Sequence, residues 1–349
     1  MADLIFIGGV GKADEFGGEL SKNKLIISRL KKSGLDVDVV DTYGSHCNPL
    51  KLWRLPYSIV ANPSAPVVFS TSFGNIRRMS SLIARIYPRR RQLLWVIGGV
   101  LADELSAGLY SVDDFKIFES IFVETKSMRD KMLAEGVKQA VYLPNFKDMS
   151  LSAGTCRFDG IDGQLRCVFF SRIDPLKGVD VILDALESET LKGKNISVDF
   201  YGPVREGYED AFMARIGRMD NVNYRGLLNF FDGSAQKALT DYHLALFPTF
   251  WQGEGFPGVV VDAFSAGLPI LASDWQHNAE IITSDVGFLC KAGDMPDFAN
   301  KLSDIYDDRM QLPAFSVNCK VAASHYDVDA LLDDDFVSRY ISGRQTAKS

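Results

Sequence analysis

This sequence lacks several features that would indicate a membrane-spanning, zinc-binding or secreted protein. No run of eighteen apolar residues occurs, so we expect no transmembrane helix. The five cysteines are odd in number and form no CxxC pair, which argues for a reducing compartment and against a structural zinc site. The apolar start of the chain has no basic flank, so it predicts a first strand and not a signal peptide. We therefore expect a cytoplasmic protein.

Histidine is also scarce, and the net charge of the chain is negative. The chain has only four histidines, at His46, His243, His277 and His325. None of them lies in a motif to which chemistry can be assigned, and we interpret them as surface or core residues. The net charge of −7 argues against nucleic acid as the main partner. Residues 1–150 have an excess of basic side chains and residues 151–349 an excess of acidic ones, which fits two domains with different partners.

The length and the pattern of apolar residues predict a two-domain α/β protein. A chain of 349 residues is long enough for two separate cores. Short apolar strands alternate with helices in both halves, which indicates two doubly wound parallel sheets. Residues 148–163 are polar and contain three glycines, as expected of a linker between the domains.

The most informative stretch lies between residues 244 and 272. Its predicted elements are a strand at 244–247, a loop at 249–255, a helix at 258–266 and a strand at 268–272. Pro257 is expected at the first helical position, and Gly267 is expected to end the helix. Glu254 therefore lies at the carboxyl end of a strand and just before a helix N-terminus. Ligands of open α/β sheets bind at that edge, and the positive end of the helix suits a phosphate.

Two basic residues lie in a comparable position near the start of the second half. Arg172 and Lys177 follow an apolar strand predicted at 166–170 and precede a helix predicted at 179–187. Two cations five positions apart on such a loop suit a diphosphate, because arginine forks onto oxygens and lysine acts as a point charge. A solvated basic loop is the alternative.

Glycines follow the first strand, which is predicted at residues 4–7. Gly9-x-Gly11 lacks the third glycine of the dinucleotide-binding fingerprint, so a nicotinamide site is not favoured. Gly17 and Gly18 precede a helix predicted at 22–32, and without a Cβ atom their backbone N–H groups can approach a phosphate closely. A flexible loop is the alternative.

Taken together, these motifs resemble the retaining nucleotide-sugar glycosyltransferases of family 4, which have the GT-B fold. The resembling segments are Glu254-Gly255-Phe256-Pro257, Gly267-Leu268-Pro269 and the Arg172-x4-Lys177-Gly178 loop. The family has a second glutamate where this chain has Asp262, whose side chain is one methylene shorter. Many members also carry a histidine near the strand predicted at 92–97, where this chain has none.

The resemblance implies an architecture and a set of site residues. It implies two Rossmann-like domains facing a cleft, at residues 1–150 and 151–328, and a C-terminal helix in 329–349 that crosses back to the first domain. The implied catalytic residues are Arg172, Lys177 and Glu254. The implied donor-binding residues are Gly17, Gly18, Gly202, Arg225, Gly226, Leu227, Gly255, Phe256, Pro257, Gly258 and Asp262. Within this set, Glu254 would orient the donor sugar and Asp262 the ribose.

The resemblance also implies a reaction. It is transfer of a sugar, with retention at the anomeric carbon, from a nucleoside diphosphate sugar to a glycan, glycolipid or lipid-linked acceptor. UDP-sugars are the favoured donors, and neither a metal nor another cofactor is required. Two alternatives remain open: a sugar-nucleotide epimerase of the same fold, and an inactive module that binds nucleotide sugars or glycans. The second is suggested by Asp262 and by the absent histidine.

A cluster of arginines indicates a further partner. Its members are Arg77, Arg78, Arg85, Arg89, Arg90 and Arg91. Interleaved with Ile83, Ile86 and Tyr87, they could form a patch attracted to anionic lipid, which would add peripheral membrane contact to the expected cytoplasmic location. A solvated helix end before a buried strand is the alternative.

Overall fold

The computed structural model describes residues 1–12, 17–44, 53–152 and 154–343. The chain divides into two compact units, one formed by Met1–Lys147 with Tyr326–Ser349 and the other by Asp148–His325. The sequence placed these divisions after residues 150 and 328. His46 lies outside the described residues.

The first unit is built on a parallel six-stranded sheet of order β2-β1-β3-β4-β5-β6. Its strands are β1 (Leu4–Gly8), β2 (Val37–Asp41), β3 (Val67–Thr71), β4 (Gln92–Val96), β5 (Ser120–Val123) and β6 (Ala140–Tyr142). Its first helices are α1 (Gly18–Lys32), α2 (Arg54–Ala61), α3 (Phe73–Ile86), α4 (Leu101–Ser106) and α5 (Lys126–Ala134). Strands β1, β3, β4 and β5 are buried along their whole length, as parallel strands covered on both faces are.

The second unit is built on another parallel six-stranded sheet, of order β12-β11-β10-β7-β8-β9. Its strands are β7 (Leu165–Phe170), β8 (Ile196–Tyr201), β9 (Val222–Tyr224), β10 (Leu244–Phe247), β11 (Ile270–Asp274) and β12 (Gly287–Lys291). Its helices are α6 (Val179–Leu186), α7 (Glu209–Ile216), α8 (Ser234–Leu239), α9 (Gly258–Ala266), α10 (Asn278–Ile281), α11 (Met295–Asp307) and α12 (Leu312–Ser324). Apolar strands packed under these helices form its core.

The strand order creates one switch point in the second sheet. The chain begins in the middle with β7, continues outward through β8 and β9, and then returns to the other side of β7 as β10. The loops that leave β7 and β10 therefore start side by side and lead in opposite directions. A crevice for ligands forms at such a point, at the carboxyl ends of the strands.

The C-terminal segment of the first unit is broken where a single helix was predicted at 329–341. It forms α13 (Val328–Leu331), α14 (Asp334–Phe336) and a π-helical turn at Val337–Ser342. The break comes at Asp333, whose carboxylate accepts a hydrogen bond from the Phe336 N–H at 2.7 Å and starts a new helix. Phe336 packs against Trp95 and so joins the segment to the buried face of β4.

The six arginines of the predicted patch have different environments. Arg90 is buried and donates to the carbonyls of Ile59 and Asn62 at 3.0 Å each. Arg91 pairs with Glu119, and Arg77 makes two bonds to Asp114. The other three, Arg78, Arg85 and Arg89, are exposed. No described helix combines the length and the apolar character that crossing a bilayer would need.

Candidate active site

The two loops at the switch point are held against each other by their backbones. The β7 loop makes a 3-10 turn at Pro175–Lys177 and then passes through Gly178, which has a φ of 83°. A Cβ atom at Gly178 would lie 2.1 Å from the carbonyl oxygen of Pro248, which follows β10. The Phe250 N–H donates to the Leu176 carbonyl at 2.9 Å. Only glycine permits this approach. Gly178 of the Arg172-x4-Lys177-Gly178 motif therefore allows the two loops to pack together, in addition to the positive charges that the motif supplies.

Lys177 and Glu254 meet at this junction. The Lys177 Nζ atom lies 2.5 Å from Glu254 Oε2, although the residues are 77 positions apart in the chain. The side chains are only 12% and 10% exposed. The Thr249 hydroxyl donates a second hydrogen bond to the same carboxylate oxygen, at 3.0 Å. The structure therefore brings together the lysine and the acid that the sequence selected separately.

Arg172 reaches the same acidic loop by a different contact. Its guanidinium carbon lies 5.3 Å from the centre of the Trp251 ring, within range of a cation–π interaction. Its Nη2 atom lies 3.1 Å from Asp174 Oδ2, and the arginine side chain is 45% exposed. Trp251 is in turn held by the residue that follows β11, since the Trp275 ring N–H donates to its carbonyl at 2.8 Å. Arg172 thus presents a half-exposed cation beside the buried Lys177–Glu254 pair.

The turn into α9 differs slightly from the prediction. Pro257 is not the first helical residue but the N-cap, with a ψ of 120°, and Gly258 begins the helix. Gly255, Phe256 and Pro257 are buried, and Gly258 is half-buried. The first N–H groups of a helix have no partners within it, so they remain suited to an anion.

Asp262 lies one turn into α9 and is also buried. Gly267 ends the helix in the left-handed conformation, as predicted, with a φ of 71°. The following strand begins at Ile270, two residues later than expected.

Four of the predicted donor-binding residues, Gly202, Arg225, Gly226 and Leu227, follow β8 and β9, and Gly202 packs against the arginine loop. Gly202 has a φ of 137°, and a Cβ atom there would lie 1.8 Å from the Ser171 carbonyl oxygen. Its N–H donates to the Gly226 carbonyl at 2.8 Å, which attaches the segment after β9 to the end of β8. The side chain of Arg225 is bound to Asp199 at 2.9 Å, and Leu227 is exposed. Gly202 therefore has a packing role independent of any ligand.

The predicted glycines of the first unit lie at the start of α1. Gly17 is the N-cap and Gly18 the first helical residue, four positions before the predicted start. Apart from its chain neighbours and the backbone of its own helix, no described atom lies within 4 Å of a Cβ built at Gly18, so packing does not require a glycine there. Beside them, the Glu19 carboxylate lies 3.4 Å from the Gly9 N–H. Burial raises the pKa of Glu19, while hydrogen bonds from Gly9 and the Thr71 side chain oppose that rise.

Sequence reasoning missed three polar residues at these edges. Glu19 follows the predicted glycine pair directly, but the helix was predicted to begin only at residue 22, so its place in the first helical turn was not recognised. Asp174 lies inside the Arg172–Lys177 loop and caps the 3-10 turn. Arg205 follows Gly202 by three positions and lies 3.6 Å from Asp174, a proximity that nothing in the sequence indicates.

Comparisons with known proteins cover the part of the chain that contains these loops. The family model for glycosyl transferases group 1 matches residues 164–308. The phosphatidyl-myo-inositol mannosyltransferase of Mycobacterium tuberculosis strain H37Rv is 31% identical over 185 residues, which are 52% of this chain and 47% of that protein. Its counterpart from Mycolicibacterium smegmatis is 27% identical over 216 residues, or 61% of this chain and 54% of that protein. The chain thus spans about half the length of the curated relatives it matches.

Solved structures resemble almost the whole chain. Anabaena HepE in complex with UDP superimposes with a TM-score of 0.71 at 16% identity, covering 98% of this chain and 100% of that one. Sucrose-phosphate synthase of Thermosynechococcus elongatus gives a TM-score of 0.73 at 11% identity, with 96% and 98% covered. At these identities the likeness shows the fold. Both parallel sheets agree with it, so the chain has the GT-B fold, and the segment that resembles the group 1 glycosyl transferases contains the Arg172, Lys177 and Glu254 loops.

Proposed function

We propose that the protein transfers a sugar from a nucleoside diphosphate sugar to a hydroxyl acceptor with retention of configuration. The observation that carries this proposal is the Lys177–Glu254 contact, with Arg172 beside it, at the switch point of the second sheet. Such a crevice binds nucleotides in many open α/β sheets, and its two cations supply donors for the oxygens of a diphosphate. HepE, which shares the fold, has been solved with UDP and with UDP-glucose, and this makes UDP our favoured nucleotide.

The mechanism follows from how each side chain is held. An ammonium group has three donors, and Lys177 uses one of them on Glu254, so the others are available to a phosphate oxygen. Arg172 and Lys177 stabilise the charge that develops on the departing diphosphate. Because they supply positive charge there, we propose that no metal is required. Glu254 is held by Lys177 and Thr249 and orients hydroxyls of the donor sugar, and Asp262 contacts the ribose.

Retention requires no covalent intermediate on this chain. We assign to the acceptor hydroxyl an attack on the same face from which the diphosphate leaves. The bond between the anomeric carbon and the diphosphate oxygen breaks, and its electron pair stays on that oxygen. The acceptor proton passes to a phosphate oxygen.

A glycolipid or lipid-linked glycan is the proposed acceptor class. Both of the relatives described above are phosphatidyl-myo-inositol mannosyltransferases, whose name specifies a lipid acceptor. The first unit also has a stretch without acidic residues, between Asp41 and Asp103, that contains eight lysines and arginines. Arg54, Arg77 and Arg91 of this stretch pair with carboxylates from outside it, and Arg90 is buried. Exposed side chains there combine apolar and basic character: Trp53, Tyr57, Val60, Arg78, Leu82, Arg85, Ile86 and Arg89. Such a surface fits the headgroup region of an anionic bilayer.

Activity is tested with purified protein, UDP- and GDP-sugars, and glycolipid acceptors, in the presence of EDTA. The expected result is nucleotide release that depends on the acceptor, with an α-linked product from an α-linked donor detected by NMR. Lys177→Ala and Glu254→Ala are expected to lower kcat/KM at least 100-fold, by analogy with the loss of about 2.7–4 kcal/mol for an oxyanion donor. The matched controls are Lys192→Ala and Glu189→Ala, which alter an exposed ion pair of the same unit. Site variants that transfer sugar at the parent rate would refute the assignment.

Membrane contact is tested separately by sedimentation with liposomes. Binding is expected to vesicles containing phosphatidylserine or phosphatidylinositol and to weaken with salt, because about 1 kcal/mol is contributed by each basic residue near an anionic surface. The triple variant Arg78→Ala/Arg85→Ala/Arg89→Ala should lose this binding. Sedimentation that depends on neither salt nor anionic lipid would exclude the proposed surface.

A further inference from the structure

Asp174 is a buried carboxylate between two arginines that come from different loops. Its Oδ2 atom lies 3.1 Å from Arg172 Nη2, and its Oδ1 atom lies 3.6 Å from Arg205 Nη1. The carboxylate side chain is 3% exposed, whereas the two arginine side chains are 45% and 54% exposed. A buried carboxylate is tolerated when it is paired and hydrogen-bonded, and the Leu176 N–H supplies the additional bond at 3.0 Å. Both guanidinium groups therefore lie against one buried carboxylate, while about half of each arginine side chain remains exposed.

The backbone also holds Arg205 near this carboxylate. The Arg205 N–H donates to the Ile173 carbonyl and the Ile173 N–H donates to the Pro203 carbonyl, each at 2.9 Å. These bonds extend the pairing of β7 and β8 beyond the ends of both strands, and a parallel bridge joins Ile173 to Val204. The close approach of Gly202 to Ser171 fixes the same two loops. Arg205 is thus placed by backbone contacts and not only by the reach of a long side chain.

The formal charges at the site explain why this placement is important. Arg172 and Lys177 carry two positive charges, and Asp174 and Glu254 carry two negative charges within ion-pair distance of them. Those four groups alone sum to zero, so they provide local donors but no net attraction for an anion. Arg205 raises the sum of these five groups to one positive charge; Asp262, which is assigned to the ribose, is not counted among them. Among the described residues, Asp174 is the sole carboxylate within 4.0 Å of the Arg205 guanidinium, which has five N–H donors.

We propose that Arg205 is a third cation of the diphosphate site and that Asp174 positions both guanidinium groups; this inference rests on the function proposed above. When the bond between the anomeric carbon and the diphosphate oxygen breaks, its electron pair leaves with the diphosphate, whose negative charge exceeds that in the donor until the acceptor proton reaches a phosphate oxygen. A cation that makes the net charge of the site positive stabilises that state more than the donor complex. Arg205 therefore acts on both nucleotide affinity and turnover.

The test measures UDP binding by calorimetry and transfer kinetics for the full-length chain. Arg205→Ala is expected to weaken UDP binding 10- to 100-fold and to lower kcat, and its UDP binding should depend less on salt. Arg205→Lys should recover part of both, since it restores the charge without the planar fork. The control Arg218→Ala removes an exposed arginine elsewhere in the same unit and should match the parent protein. Asp174→Asn should raise the KM for donor more than it lowers kcat, because the guanidinium groups remain but lose their common anchor.

The outcomes separate this inference from the function on which it rests. If Arg205→Ala binds UDP like the parent while Lys177→Ala does not, the third-cation inference is wrong and the proposed transferase function stands. If the parent binds neither UDP nor GDP, the proposed function fails as well. Because Asp174→Asn risks unfolding, its melting curve is recorded, and the Arg205→Ala and Arg205→Lys pair decides the inference if that variant does not fold. If Arg205→Lys recovers UDP affinity that Arg205→Ala loses, the positive charge of residue 205 is responsible, and a merely structural role would not give that result.

Discussion

The buried pair formed by Lys177 and Glu254 offers a test of the site geometry that needs no substrate. Each residue is replaced separately, by Lys177→Met and by Glu254→Gln, and both are replaced together. Each single change leaves a nearly buried partner without its counterion. In Lys177→Met, the Glu254 carboxylate would lose the lysine and keep the hydrogen bond from the Thr249 hydroxyl, at 3.0 Å. The double variant removes both charges at once.

The expected magnitude follows from the burial of the pair. Breaking a fully buried ion pair by removing one partner costs about 3–5 kcal/mol. The side chains here are 12% and 10% exposed, so water relieves part of that cost. We expect each single variant to lose about 2–3 kcal/mol, and the double variant to lose less than the sum by about 1–3 kcal/mol. For a unit of this size, each 1 kcal/mol lowers the melting temperature by about 2–4 °C.

Scanning calorimetry of the full chain is the appropriate assay, because two units need not unfold in a single transition. The control is the Lys192–Glu189 pair of the same unit, which has similar atoms at 2.9 Å but is largely exposed. Its variants, Lys192→Met and Glu189→Gln, should change stability by no more than about 1 kcal/mol. Equal melting temperatures for the buried and the exposed variants would refute the argument that burial makes the first pair strong.

Three further predictions follow from individual residues. Glu254→Gln should tighten UDP binding about tenfold, because like charges about 5 Å apart repel by about 3 kcal/mol at an effective dielectric constant of about 20, and solvent screens part of that. Gly202→Ala should destabilise the second unit by more than about 2 kcal/mol, whereas Gly18→Ala should change stability by less than about 1 kcal/mol. Burial and the nearby Arg166 lower the pKa of His243 to about 4, so the unfolded chain takes up that proton first and stability should fall by about 2 kcal/mol between pH 7.5 and pH 5.

Each of these has its own measurement. Calorimetric titration with UDP decides the first, and weaker binding by Glu254→Gln would contradict it. Melting temperatures decide the second, which fails if the two glycine variants behave alike. Melting temperatures across the pH range decide the third, with His243→Asn as the comparison, because an asparagine oxygen can still accept the Arg166 N–H but does not titrate in this range. An unchanged pH slope in that variant would remove His243 as the cause.

Local signals predicted the elements around the site well. Helix α9 and strand β10 have the predicted bounds, because an apolar run followed by a glycine loop and a closing Gly267 defines both without tertiary information. Signals were weaker elsewhere. Helix α12 was not predicted, since Leu312–Ser324 contains Ser, Asn and Val residues with modest helix propensity and is formed by packing on α9. The C-terminal segment was predicted as one helix because its periodicity does not reveal the cap at Asp333.

The order of the strands decided what local signals could not. Sequence alone identified the residue types of the proposed diphosphate site, because cations and an acid after apolar strands must lie at the carboxyl edge of a parallel sheet. Only the return of the chain to place β10 beside β7 brought Lys177 within 2.5 Å of Glu254. The same tertiary packing joined Arg205 to Asp174 and took Arg90 out of the basic surface. Which strands become neighbours depends on how the two faces of the whole sheet are buried. That is a property of the assembled sheet, and no short segment of the sequence contains it.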